Sequence, residues 1–173
     1  MPRAFIALGS NINPAENMRA AIRLLGRRLR ILRVSTCYET APEGRPDQPP
    51  FYNAVVEVET DVPPAELKQT ILRGIEDQLG RKRGADRYAP RTIDLDLLVY
   101  DDLRSEEGDL VLPDPLIVQR AFLAVPLAQL APDMVLPGSN RTMAEIAAGM
   151  TTDGMLELVG YTDLLRRELE DGS

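Results

Sequence analysis

The run Thr92-Ile93-Asp94-Leu95-Asp96-Leu97-Leu98-Val99-Tyr100 sets two carboxylates two positions apart in a strand-forming stretch. Side chains alternate along a strand, so Asp94 and Asp96 share one face, continued by Leu98 and Tyr100. Ile93, Leu95, Leu97 and Val99 take the other. The two aspartate Cα atoms are then roughly 6.6 Å apart. Paired negative charges on a half-buried face repel, and a hard divalent cation removes the repulsion while creating a point of attachment for phosphate. The plain alternative is a solvated face whose acids discourage edge pairing. Just upstream, residues 80–91 read Gly-Arg-Lys-Arg-Gly-Ala-Asp-Arg-Tyr-Ala-Pro-Arg, five cations against one anion. A metal on one side and flexible guanidinium groups on the other make a polyanion site, the parts that phosphoryl transfer from ATP requires. A charged, solvated loop is the bland reading of that segment taken alone.

The rest of the composition narrows the chemistry. The 173 residues contain no histidine, which excludes Ser-His-Asp and Cys-His catalysis and histidine metal sites. Cys37 is the sole cysteine, so neither an internal disulfide nor a multi-cysteine zinc site is available. What remains is carboxylates, cations, amides and hydroxyls, a set that favours oxygen-liganded magnesium. A net charge of −7 argues against general nucleic-acid binding. No apolar run approaches the roughly 18 residues of a membrane span, and the start lacks the features of a secretory signal. A cytoplasmic protein with no membrane partner is expected. P-loop and G-x-G-x-x-G segments are absent, and Gly9-Ser10-Asn11 is only a turn by composition.

These residues need a scaffold, and the patterning supplies one. Arg3 to Leu8 reads as a first strand. Asn13-Pro14-Ala15-Glu16 reads as a helix start, with Asn13 as cap and Glu16 completing a capping box. Met18, Ile22, Leu25 and Leu29 form that helix's buried stripe. Leu32 to Thr40 and Phe51 to Thr60 read as strands. A second helix opens at residues 61–64, carries Leu67, Ile71, Ile75 and Leu79, and stops at Gly80. With the aspartate strand the order is βαββαβ, an α+β, ferredoxin-like sheet core. Downstream, a short strand at Leu110 to Leu112, a helix over Ile117 to Leu130 interrupted near Pro126, and a short helix at Met143 to Ala148 would cover the second face. The result is a three-layer α-β-α arrangement. Met155 to Val159 is ambiguous between strand and helix. The expected organisation is one catalytic domain over residues 1–160 and a polar tail over 161–173.

Several ordered motifs together resemble the 6-hydroxymethyl-7,8-dihydropterin pyrophosphokinase family. They are Ala7-Leu8-Gly9-Ser10-Asn11, Tyr38-Glu39-Thr40-Ala41-Pro42, the run from Gln48 to Val55, the run from Gly80 to Leu98, Leu112-Pro113-Asp114-Pro115, and Arg120-Ala121-Phe122 with Pro126-Leu127. The resemblance implies transfer of a diphosphate from Mg-ATP to the hydroxymethyl group of the reduced pterin, releasing AMP, in folate biosynthesis. It implies two Mg2+ ions on Asp94 and Asp96, with Arg81 and Arg91 acting on the phosphates and Asp96 placed to assist as a base. Arg83, Arg87, Tyr88, Arg120 and Glu76 would belong to the ATP side. The pterin would stack between Phe51 and Phe122, with Asn53 and the backbone around Thr40 and Pro42 bonding its polar edge. ATP and the pterin are the implied partners of a monomeric enzyme that binds no nucleic acid.

One departure stands out. The family usually carries His-Pro-Arg where this chain reads Asp114-Pro115-Leu116, which brings a negative charge towards polyphosphate and omits a positive one. Asp114 binds metal, pairs with a loop arginine or swings outward. The competing reading is a non-catalytic ferredoxin-like module that binds RNA or a regulatory ligand, with Arg19, Arg23, Arg27 and Arg30 as a nucleic-acid face; a solvated face of the first helix accounts for the same residues. A pterin-binding member with slow transfer is the third possibility.

Overall fold

The computed structural model describes residues 1–42, 44, 46–86 and 89–171. Strand β1 (Arg3–Ser10) lies at the centre of the main sheet, antiparallel to both β4 (Phe51–Glu59) and β5 (Asp94–Tyr100). The order is β5-β1-β4, then β3 (Tyr38–Thr40) and β8 (Leu156–Glu157), with β2 (Arg30–Val34) also pairing with β4 beside β3. This is the βαββαβ order read from the sequence. Alternation along β1 feeds two cores: Ala4, Ile6 and Leu8 enter one, Phe5 and Ala7 the other. Both faces are therefore covered, and burial of each large side chain contributes about 1.5–3 kcal/mol.

The strand expected over 32–40 is split in two. Between the halves, Ser35 donates its N–H to the Val55 carbonyl at 2.9 Å, and its hydroxyl accepts the Val55 N–H at 2.9 Å. A side chain replaces a backbone carbonyl there, which interrupts the ladder and lets β3 start anew.

Helix α1 (Pro14–Arg28) buries Met18, Ala21, Ile22 and Leu25, with Leu29 just beyond. Its expected capping box does not form. Asn13 is left-handed (φ 42°) and makes no side-chain cap bond, because capping needs an extended backbone that aims the side chain at the first amides. The second helix runs through α2 (Pro64–Glu66), a π-helical stretch (Leu67–Leu72) and α3 (Arg73–Gln78). The wider π turn brings Leu72 to the buried side with Leu67, Ile71 and Ile75. Gly80, at φ 77°, closes it: the Arg81 N–H reaches back to the Glu76 carbonyl at 3.0 Å. The chain is thereby turned towards β5.

Over the opposite face lie a 3-10 turn (Pro115–Val118), α4 (Ala121–Leu130) and α5 (Met143–Ala148). The break expected near Pro126 falls instead at Gln119 and Arg120, and α4 runs through the proline. Pro126 forgoes one backbone bond, but Leu123, Ala124, Leu127 and Leu130 bury themselves with Phe5, Val55 and Leu98. Strands β6 (Ser105–Glu107) and β7 (Leu110–Leu112) form a separate hairpin.

The ambiguous segment after Met155 becomes β8 (Leu156–Glu157), paired with β3, and the polar tail becomes α6 (Val159–Asp171). Helix α6 lies along α1 and buries Thr162, Leu165 and Glu168. Glu168 accepts from Arg19 at 2.7 Å and Arg23 at 3.0 Å. Arg30 belongs to β2 rather than α1, and pairs with Glu59 at 3.3 Å. The basic row proposed as a nucleic-acid face thus includes three arginines committed to internal ion pairs. Among the described residues, no helix is long and apolar enough to cross a membrane.

Candidate active site

A single row across the sheet sets up the site. Asn53 on β4 stands opposite Gly9 on β1, and Gly9 stands opposite Asp94 on β5; Ala7 and Asp96 pair on the same face. On the outer side, Thr40 of β3 pairs with Phe51. Directly paired residues point to the same side, so Thr40, Phe51, Asn53, Gly9, Ala7, Asp94 and Asp96 share one face. A cavity of about 460 Å³ opens above them, roofed by Asp114, Leu116, Arg120 and Phe122. Asn53 and Asp94 are two strand spacings apart, roughly 10 Å. Gly9 forms the floor between them: a Cβ there would come within 3.1 Å of Asn53 Oδ1.

The expected facing of β5 holds at the aspartates and fails at its end. Phe5 pairs with Val99 but Ile6 with Leu97, so the register shifts at Leu98. Leu98 and Val99 consequently both pack under α4, while Tyr100 joins the opposite core. The bulge reverses the expected sides of Val99 and Tyr100.

Arginines surround Asp94. Arg81 Nη1 donates to Asp94 Oδ1 at 2.7 Å, and Arg91 Nη1 donates to Oδ2 at 2.7 Å. Glu76, nearly buried at the end of α3, organises this corner. Its Oε2 accepts the Leu95 N–H at 2.8 Å and Arg81 at 3.0 Å; its Oε1 accepts Arg83 at 2.6 Å. Arg83 also bonds Asp77, and these two carboxylates hold its guanidinium more firmly protonated. Glu76 and Arg83 therefore lie behind the cavity wall, supporting Arg81, while Arg91 and Arg120 line the cavity itself. Arg87 and Tyr88 lie outside the described residues.

Asp96 is exposed where it opens into the cavity, although protein crowds around it on the other sides. That enclosure raises its pKa well above the ordinary carboxylate value, and Asp94, Asp114 and Glu76 add to the shift against the pull of Arg91. Asp114 is also raised, chiefly by burial. The Leu116 N–H and Lys68 oppose this, and Asp94 reinforces it. The structure gives Asp114 a role not among the three expected: its Oδ1 accepts the Leu116 N–H at 2.9 Å and caps the 3-10 turn, while the residue lines the cavity.

Asp94 and Asp96 fit magnesium by their chemistry. Both are hard oxygen donors on one face, and Asp96 faces the negative charge of Asp94 and Asp114. Among the described residues, no three or more His, Cys, Asp or Glu side chains gather as a complete metal cage. Magnesium rarely uses one; it commonly takes one or two carboxylates and completes its shell with water and substrate phosphate. Cys37 offers no competing nucleophile, since burial pushes its thiol up to about 12, with the Asn53 backbone acting against the shift.

The heterocycle side is equally defined. Asn53 Nδ2 donates to Thr40 Oγ1 at 2.7 Å, which turns Oδ1 over Gly9. Thr40, Phe51, Asn53 and Phe122 all line the cavity; Pro42, on the loop beyond β3, does not. The sequence reading passed over Asn11. It is 2% exposed, and its side chain joins two loops: Nδ2 donates to Gln48 Oε1 at 3.1 Å, and Oδ1 accepts the Arg91 N–H at 2.7 Å. Its position in a Gly-Ser-Asn turn concealed this, because turn composition says nothing of distant partners.

The 7,8-dihydro-6-hydroxymethylpterin-pyrophosphokinase (HPPK) family model matches residues 5–132. A Methylorubrum extorquens protein named 2-amino-4-hydroxy-6-hydroxymethyldihydropteridine pyrophosphokinase is 39% identical over 158 residues, covering 90% of this chain and 98% of its own. The protein of that name from Bacillus subtilis is 41% identical over 130 residues, covering 73% of this chain and 77% of its own. Among solved structures, wild-type Plasmodium falciparum HPPK-DHPS with pteroate superposes with a TM-score of 0.69 at 15% identity, a likeness of fold. The match covers 85% of this chain and 44% of that one, so the chain spans less than half of the larger protein. A family match over most of the chain, on the same motifs that build the cavity, makes this chain a member of the 7,8-dihydro-6-hydroxymethylpterin-pyrophosphokinase family.

Proposed function

We propose that this chain transfers a diphosphate from Mg-ATP to the hydroxymethyl group of 6-hydroxymethyl-7,8-dihydropterin, giving the pterin diphosphate and AMP, as a step of folate biosynthesis. The observation that carries the reading is the shared cavity. One sheet face presents Thr40, Phe51, Asn53 and, from above, Phe122 to a flat heterocycle. The same face presents Asp94 and Asp96, with Arg91 and Arg120, to a polyphosphate. Gly9 lies between the two sets and leaves room for the group that joins them.

Atom balance defines the step. Release of AMP with transfer of two phosphoryl units requires the hydroxymethyl oxygen to bond to the β-phosphorus while the bond from that phosphorus to the α-bridging oxygen breaks. The hydroxyl proton leaves, and Asp96 is the carboxylate we assign to take it. Asp94 and Asp96 would hold magnesium, which supplies charge neutralisation at the phosphates. Arg81 and Arg91, now on Asp94, supply further positive charge; Glu76 positions Arg81 and Arg83. Arg120 and the loop residues Arg87 and Tyr88 would hold ATP. Two flat faces, Phe51 and Phe122, and one amide suit a pterin's rings and polar edge. We take the active unit to be a monomer that works in the cytoplasm, where its ATP is supplied.

The test is AMP formation from Mg-ATP with and without the hydroxymethyl pterin. Pterin-dependent AMP, reduced about a hundredfold or more in Asp94→Asn, supports the reading. Salt-sensitive RNA binding without that activity would replace it.

A further inference from the structure

We propose that α6 and β8, which follow the segment matched to the family, form a strap that holds the pterin half of the site in its binding geometry, with Thr162 as the positioning residue. The proposal rests on the functional reading above.

The front of β3 and β4 carries Thr40, Phe51 and Asn53, while the strap pairs along the edge of β3 and reaches the back of β4. Strand β3 is only three residues long. It pairs with β4 on one side and with the two-residue β8 on the other, through Tyr38 with Glu157 and Glu39 with Leu156. Such short ladders are marginal unless something else fixes them. Immediately before β3, a closed set of bonds does so. The Cys37 carbonyl accepts the Leu158 N–H at 2.9 Å, the Cys37 N–H donates to Thr162 Oγ1 at 2.9 Å, and the Thr162 hydroxyl donates to the Leu158 carbonyl at 2.7 Å. Thr162 is 2% exposed, so water cannot readily substitute for either partner.

The next residue back strengthens the case. The Tyr161 ring meets the Tyr52 ring edge-on, with centroids 5.2 Å apart and planes at 63°, and its hydroxyl donates to the Ala15 carbonyl at 2.6 Å. Tyr52 lies between Phe51 and Asn53 on β4, facing the opposite way. The strap therefore touches the reverse side of β4 through Tyr52 and the outer edge of β3 through β8. Asp94 and Asp96 lie on β5, beyond β4 and β1. If β3 is ordered for only a fraction of the time, apparent pterin affinity falls by that fraction, while the phosphate half is spared.

The test compares full-length Thr162→Val, which keeps the shape and loses the hydroxyl, with Thr162→Ser, which keeps the hydroxyl. Two readouts are taken: the KM values for pterin and ATP, and backbone hydrogen exchange. We expect Thr162→Val to raise the pterin KM about tenfold with the ATP KM unchanged, and Thr162→Ser to restore it. Exchange should quicken at residues 37–40 and 51–53 and stay unchanged at 94–100. Equal changes in both KM values, unchanged KM values, or failure of the serine variant to restore would overturn the strap. If the unaltered protein forms no pterin-dependent AMP, the functional reading fails separately. The exchange pattern then decides the strap: localised quickening supports it, and unchanged or global exchange overturns it.

Discussion

Gly9 lies against Asn53 so closely that an added Cβ would be 3.1 Å from the amide oxygen. The backbone at Gly9 is compatible with other residues, so what excludes a side chain is the space required above the sheet. Gly9→Val should fold, because the strand tolerates valine, but should crowd both Asn53 and the cavity floor. We expect the pterin KM to rise about tenfold, with a smaller change in thermal stability, measured by steady-state kinetics and thermal melting. Unchanged KM would move the pterin away from Asn53.

Asp96 gives a stability prediction with a definite sign. Its folded-state proton affinity is raised above the ordinary value of 3.8, as is that of Asp114. Such groups contribute their full stability below the unfolded value and lose it as pH rises through the folded one. In the presence of a chelator, the melting temperature should therefore carry a component that declines as pH rises above about 4. Asp96→Asn removes part of that decline and should raise the chelated protein's melting temperature near neutral pH by about 3 °C or more, while abolishing turnover. Magnesium should stabilise the unaltered protein more than the variant.

Asn11 connects the turn at Gln48 and Pro49 to the approach of the aspartate strand at Arg91. Asn11→Ala would leave the Arg91 N–H without its side-chain acceptor. The expected cost is about 1–3 kcal/mol of stability, read by denaturant unfolding, with both substrate KM values raised because both loops lose their common tie. A change confined to one substrate would show that the loops act independently.

Asp114 faces the cavity while capping the 3-10 turn. Asp114→His removes a negative charge from the phosphate side, and ATP should bind about threefold to tenfold more tightly, measured by calorimetry with magnesium present. Asp114→Asn should recover the part that comes from charge alone. No gain in either variant would place the polyphosphate away from this turn.

Much of this arrangement could be read from residue order. An apolar run identified β1, period-two patterning identified β4 and β5, and helical stripes such as Met18, Ile22 and Leu25 identified the first helix, because those signals are local. The faces of Asp94 and Asp96 followed from alternation alone. The failures were long-range. The bulge at Leu98 reverses Val99 and Tyr100 through pairing with Phe5 and Ile6, which the β5 sequence does not encode by itself. Asn11 acts through partners 37 and 80 residues away, Glu76 through the Leu95 amide 19 residues on, and Glu168 draws α6 onto α1 from more than a hundred residues downstream. Asn13 had the right type for a cap, but its left-handed backbone left the side chain without an amide to bond.

The most direct measurement uses ATP labelled in its terminal phosphate, magnesium and the hydroxymethyl pterin. The label should appear in a pterin product carrying two phosphoryl groups, with one AMP released for each product formed and none made without pterin. Label recovered as free phosphate, or a singly phosphorylated pterin with ADP, would contradict the transfer proposed for Asp94, Asp96 and their arginines.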